Sequence, residues 1–121
     1  MPLSQVVAVV EDDASSRKTL LRVLRAGGFD AREYTSAEHY LASPPRPSPV
    51  GLLLDMNLGG MSGLELQRRL VFDGSTVPVI VITGRDDRRT EEESWRLGCW
   101  AYLHKPCEAS AILDILRSLP D

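Results

Sequence analysis

Three short apolar runs constrain this chain more than anything else: Val6 to Val10, Val50 to Leu54, and Val77 to Ile82, the last interrupted by Pro78 near its start. They consist mainly of Val, Ile and Leu and do not alternate with polar residues. A strand with one face in water alternates, whereas a strand covered on both faces does not. Strands of the second kind are usually parallel, with helices on either side. Two weaker strands fit at Ala31 to Tyr34 and Ala101 to His104.

Helical patterns separate the runs. Leu20, Leu21 and Leu24 form an apolar stripe that stops at Gly27-Gly28. Ser36 is placed to cap a short helix through Leu41. Leu64, Leu66, Leu70 and Val71 put apolar groups on a helix ending near Gly74. The segment from Asp86 to Leu97 is heavily charged, carries Trp95 and Leu97, and stops at Gly98. Ile112, Leu113, Ile115, Leu116 and Leu119 give a last amphipathic helix. Strand then helix, repeated to the end, predicts a doubly wound α/β sandwich with right-handed crossovers. For five parallel strands the expected order is 2-1-3-4-5, the flavodoxin-like arrangement. A length of 121 residues suits one such domain, spanning 1–121.

Composition narrows the function. A net charge of -3 argues against a nucleic-acid grip by this domain alone, which needs clustered Lys and Arg. No apolar run approaches the roughly 20 residues that a membrane-spanning helix requires. MPLSQVVAVVEDD has no basic n-region and meets acids at Glu11, unlike a signal peptide. Cys99 and Cys107 form no CxxC pair, and His39 and His104 are the only histidines, so a zinc site is not expected. Both thiols are expected to be reduced, in the cytoplasm. SPPRPSP, residues 43 to 49, reads as a stiff, extended surface loop, with a docking site for a proline-reading partner as the alternative.

Polar residues gather where this fold binds ligands. In open α/β sheets that place is outside the carboxyl ends of the strands, where strand order reverses. The first strand ends in Glu11-Asp12-Asp13, the third in Asp55, the fourth in Thr83-Gly84 and the fifth in Lys105-Pro106. Each group has an ordinary explanation when taken alone. Asp13 suits a helix cap, Glu11, Asp12 and Asp55 suit turns, Thr83 suits a strand end and Lys105 suits solvent. Their joint placement is what points to a site. Clustered carboxylates repel and retain protons unless a divalent cation is bound, and Mg²⁺ favours such oxygen ligands. Acids with a cation, a lysine and a hydroxyl suit a transferring phosphoryl group.

This pattern resembles the receiver domain of two-component response regulators. VVAVVEDD resembles the first strand and acidic pair of that family, and LLLDMNLGGMSGLEL its phosphoacceptor segment, including a glycine eight residues on, here Gly63. VIVITG and GCWAYLHKP resemble its fourth and fifth strands. SAEHYLA and SGLELQRRL are most similar to receivers of the nitrogen-fixation and nitrate type. The resemblance implies Asp55 as phosphoacceptor. It implies a Mg²⁺ or Mn²⁺ site formed by Asp12 directly, Glu11 through water, Asp55, and the backbone carbonyl of Asn57. It further implies that Thr83 and Lys105 contact the phosphoryl group and that Tyr102 is a switching aromatic. Asn57 and Arg85 would tune the acyl-phosphate lifetime, and Pro106 would follow a cis bond. Departures are Gly59, where the family usually has proline, which predicts a more mobile loop, and Cys107, where Phe is common.

The expected function is therefore a signalling switch, phosphorylated by a sensor histidine kinase or phosphotransfer protein. It would catalyse its own phosphorylation and dephosphorylation, and a homodimer through the face from helix 4 to helix 5 is an expected response. The charged segment RDDRRTEEESW lies on that face. A DNA-binding output domain beyond residue 121 would suit the subclass. The alternatives are a receiver-like binding module that works without phosphorylation, and a hydrolase that forms an aspartyl phosphate. Such hydrolases typically carry a second Asp where this chain has Asn57.

Overall fold

In the computed structural model, which describes residues 5–84 and 87–120, strand β1 (Val6–Val10) lies inside the sheet. It pairs in parallel with β2 (Asp30–Tyr34) on one side and β3 (Gly51–Leu54) on the other. β3 pairs in parallel with β4 (Val79–Thr83), and β4 with β5 (Ala101–His104). The order β2-β1-β3-β4-β5 is the expected one.

The non-alternating runs are explained by what covers them. Val7, Val9, Leu53, Ile80 and Ile82 face α1 (Ala14–Ala26) and α5 (Ala109–Arg117), packing on Leu20, Leu21, Leu24, Ile112 and Leu116. Ala8, Val10, Leu52, Leu54, Val79 and Val81 face the other way. They pack with Ala37 and Tyr40 of α2 (Ala37–Ala42) and with Leu66 and Leu70 of α3 (Gly63–Phe72). Leu52 and Leu53 point to opposite faces, yet both are buried. Truncating either to Ala would cost about 2–5 kcal/mol.

The helix starts follow local chemistry. Asp13 caps α1 by accepting from the Ser16 amide at 2.8 Å. Ser36 caps α2 through the His39 amide, and Ser62 caps α3 through the Glu65 amide. Asp87 caps α4 (Arg88–Arg96) by accepting from the amides of Arg89 and Thr90.

Several expectations are corrected. β4 begins at Val79, not Val77, because Pro78 has no N–H to donate and gives only its carbonyl to the Leu52 amide. β2 starts one residue early, at Asp30, and β3 one late, at Gly51. The described part of the fourth helix is Arg88–Arg96, and Asp86 lies outside the described residues. Val71 does not belong to the α3 stripe: it is half-exposed, and the third long side chain buried by α3 is Gln67. The proline-rich segment is not wholly a surface strap. Pro45 and Pro49 are buried against the fold, which removes half its prolines from any reader, and Arg46–Pro47 is cis.

Candidate functional site

Register brings the four strand ends together. Val10 is level with Leu54, so Glu11 and Asp55 leave the sheet side by side, and the Asp55 amide donates to the Val10 carbonyl at 3.2 Å. Thr83 closes β4 fully buried, and its carbonyl accepts from the Lys105 amide at 2.8 Å. Lys105–Pro106 is cis, as expected.

One lysine then meets two buried acids. Lys105 Nζ donates to Glu11 Oε1 at 2.5 Å and to Asp55 Oδ2 at 3.3 Å. Both acids are more than nine-tenths buried, while the Lys105 side chain keeps 28% of its exposure. Burial, followed by the shared hydrogen bond with Asp55, pushes Glu11 up from 4.5 to about 7, with Lys105 working against the rise. Burial alone would lower the lysine, yet Glu11 and Asp55 hold it above its ordinary value. One ammonium is too little for this charge. Carboxylate oxygens of Glu11, Asp12 and Asp55 lie within 4.8 Å of one another, an oxygen-only set that could hold a metal ion and suits a hard divalent cation.

The loop after Asp55 is held more firmly than its glycines predict. The amides of Asn57, Gly59 and Met61 each donate to a different carboxylate: Asp55 Oδ1 at 2.9 Å, Asp12 Oδ2 at 3.1 Å and Glu38 Oε2 at 3.0 Å. These three hydrogen bonds act against the mobility that Gly59 and Gly60 predict. A proline at 59 would have no N–H for Asp12, so glycine there adds a tether. Gly63 has a separate cause. A Cβ on it would clash with the Asp55 carbonyl and lie 2.7 Å from Met56 Cα, so α3 can start this close to Asp55 only without a side chain.

Around the site, Tyr102 is buried and lifted to about 12, chiefly by burial. It meets His104 edge-on at 5.5 Å between ring centroids. His104 Nε2 lies 3.2 Å from Glu91 Oε1, which links β5 to α4, and Glu91 also accepts from Trp95 Nε1. Arg85 lies outside the described residues. Cys107 lines a cleft of about 390 Å³ between α1 and α5, beside Lys105.

Two features escape sequence reasoning. Gln67 and Ser94 are buried partners across α3 and α4, and a polar residue inside an apolar stripe was the available signal. Glu38 reaches the loop after Asp55 from α2, and no local pattern marks it.

Comparison with known proteins agrees with this geometry. The family model of the response regulator receiver domain matches residues 7–117. The chain is 33% identical over 118 residues to the transcriptional regulatory protein FixJ of Azorhizobium caulinodans, covering 98% of this chain and 56% of that protein. It is 34% identical to FixJ of Rhizobium meliloti, covering 92% of this chain and 54% of that protein. The crystal structure of FixJ-N superposes with a TM-score of 0.86 at 31% identity, covering 99% of each chain. The chain thus spans about half the length of the curated relatives it matches.

Proposed function

The chain belongs to the response regulator receiver family, a family of signalling switches phosphorylated on aspartate, and from that premise we propose that Asp55 is its phosphoacceptor. The observation that carries the assignment is the carboxylate itself. Asp55 Oδ1 is held by the Asn57 amide and Oδ2 by Lys105, so the nucleophile is fixed at the end of a buried strand.

In this reading an Asp55 oxygen attacks the phosphorus of a phosphohistidine on a sensor kinase or phosphotransfer protein. The O–P bond forms as the P–N bond breaks, and the imidazole leaves with the bonding electrons. Glu11, Asp12, Asp55 and the Asn57 carbonyl would hold Mg²⁺ or Mn²⁺, Glu11 through water. The cation, when bound, supplies neutralising charge for the phosphoryl oxygens. Lys105 stands ready to pair with the phosphoryl group in exchange for its present contact with Asp55. The Thr83 hydroxyl donates to a second phosphoryl oxygen, and Tyr102 follows the threonine. The domain catalyses both the gain and the hydrolytic loss of the group, with Asn57 and Arg85 setting the lifetime.

The change is passed on through α4, β5 and α5, where a homodimer forms after phosphorylation. Residues 1–121 act as one receiver unit of a cytoplasmic protein, the regulatory half of a DNA-binding regulator. The FixJ likeness supports that last step. No helix among the described residues is long and apolar enough to cross a membrane. The hydrolase alternative lacks support, since Asn57 offers no carboxylate two residues after the nucleophile.

Incubation with acetyl phosphate and Mg²⁺, read by intact mass, tests the proposal. One phosphoryl group per chain is expected, and none when a chelator is present. Failure to react under both conditions would favour a module that works without phosphorylation.

A further inference from the structure

We propose that Glu38, on α2 and outside the acidic cluster, is a positioning residue that sets the register of the loop carrying Asn57 and thereby tunes Asp12 and the cation site. This rests on the receiver reading given above.

The loop from Asp55 to Ser62 presents alternate amides, at 57, 59 and 61, to three carboxylates. The first two belong to the site. The third comes from a different helix, 23 positions away in sequence, and holds the loop at its far end. A carboxylate accepting a backbone N–H makes a charge-assisted bond, stronger than a neutral one. The Met61 amide, followed by the Glu38 amide at the helix start, lowers the Glu38 carboxyl below its ordinary value, in keeping with a charged acceptor.

The contact depends on Gly60. Its φ is 71°, and a Cβ there would stand 2.5 Å from Glu38 Oε2. Gly60 therefore serves two needs: a left-handed backbone and room for the incoming carboxylate. Without the Glu38 contact Leu58 and Met61 still pack on the core and the Gly63 amide still donates to the Met56 carbonyl, so what is lost is the side-chain tether beside the flexible Gly60. Gly59, one residue before it, donates to Asp12 Oδ2. A shift at the Glu38 end reaches Gly59 across this one glycine and, through the Gly59 amide, Asp12, an exposed cluster member whose carboxylate has that amide as its one hydrogen-bond partner among the described residues.

The test compares wild type with Glu38→Ala and Glu38→Gln. Amide hydrogen exchange is read at Asn57, Gly59 and Met61, and Mg²⁺ alone is titrated calorimetrically. Glu38→Ala is expected to speed exchange at Gly59 as well as Met61 and to weaken Mg²⁺ several-fold, at an unchanged melting temperature. Glu38→Gln, which still offers an acceptor oxygen, is expected to restore most of both. Exchange at Gly59 unaltered by Glu38→Ala would overturn the inference, as would equal losses in both variants, which would point to charge alone. The exchange readout needs no phosphorylation, so failure of Asp55 to accept a phosphoryl group would be a separate result.

Discussion

Lys105 stands 2.5 Å from Glu11 but 3.3 Å from Asp55, so the lysine belongs first to the acid that is not the proposed nucleophile. Phosphorylation would therefore draw Lys105 away from an existing partner. Two consequences can be measured.

The first is a pH dependence of stability. Folded Glu11 titrates at about 7, against an ordinary 4.5. Below pH 4.5 it is protonated folded or unfolded. Between 4.5 and 7 the unfolded chain releases the proton more readily, so stability falls as pH rises, and above 7 the full cost is present. With chelator present, urea denaturation should show a loss on the order of 2–3 kcal/mol from pH 5 to pH 8. Glu11→Gln should flatten that slope, and a flat wild-type profile would contradict the burial argument.

The second separates charge from chemistry. Lys105→Ala removes the one cation that, among the described residues, pairs with the carboxylates of the acid cluster. Mg²⁺ should then bind several-fold tighter, while labelling by acetyl phosphate slows by about 100-fold, since a charge-stabilising donor is lost. Calorimetry and intact mass read the two effects, and parallel losses in both would argue against Lys105 acting on the phosphoryl group.

Gly63→Ala should disturb the site from beneath. The new Cβ meets the backbone of Asp55 and Met56, neither of which can swing aside like a side chain. A loss of about 2–4 kcal/mol is expected, the range of severe overpacking, with slower labelling in the protein that still folds. Thermal melts and labelling rates check this, and a neutral variant would show that the loop can move freely.

Gln67 and Ser94 exchange two hydrogen bonds inside the α3–α4 contact, at 3.0 and 2.7 Å. Ser94→Ala should cost about 1–3 kcal/mol by stranding the Gln67 carbonyl oxygen. Adding Gln67→Leu should recover part of that loss, because both polar side chains are then gone while the carbonyl of residue 94 keeps the Cys99 amide. A double-mutant cycle with strictly additive costs would deny the coupling.

The fold was legible because buried parallel strands leave a plain signature: Val6 to Val10 and Gly51 to Leu54 cannot alternate when both faces are covered. Strand order then brought Glu11, Asp55, Thr83 and Lys105 together without any knowledge of distances. What the sequence hid depends on tertiary contact. Gly59 suggests looseness until Asp12, 47 positions away, is seen accepting its amide. Glu38 and the Gln67–Ser94 pair are ordinary helix residues until the facing element is in place. Val71 looks like part of the apolar stripe of α3, and Trp95 is the large apolar residue of a charged helix, yet about half of each is exposed, because α3 and α4 turn Gln67 and Ser94 inward there.

The most direct measurement of the central claim is where the phosphoryl group goes. After reaction with acetyl phosphate and Mg²⁺, borohydride reduces an aspartyl phosphate to homoserine, and peptide mass spectrometry locates it. The account predicts homoserine at position 55 and none in Asp55→Asn. Homoserine at Asp12 or elsewhere, or labelling that survives in Asp55→Asn, would contradict it.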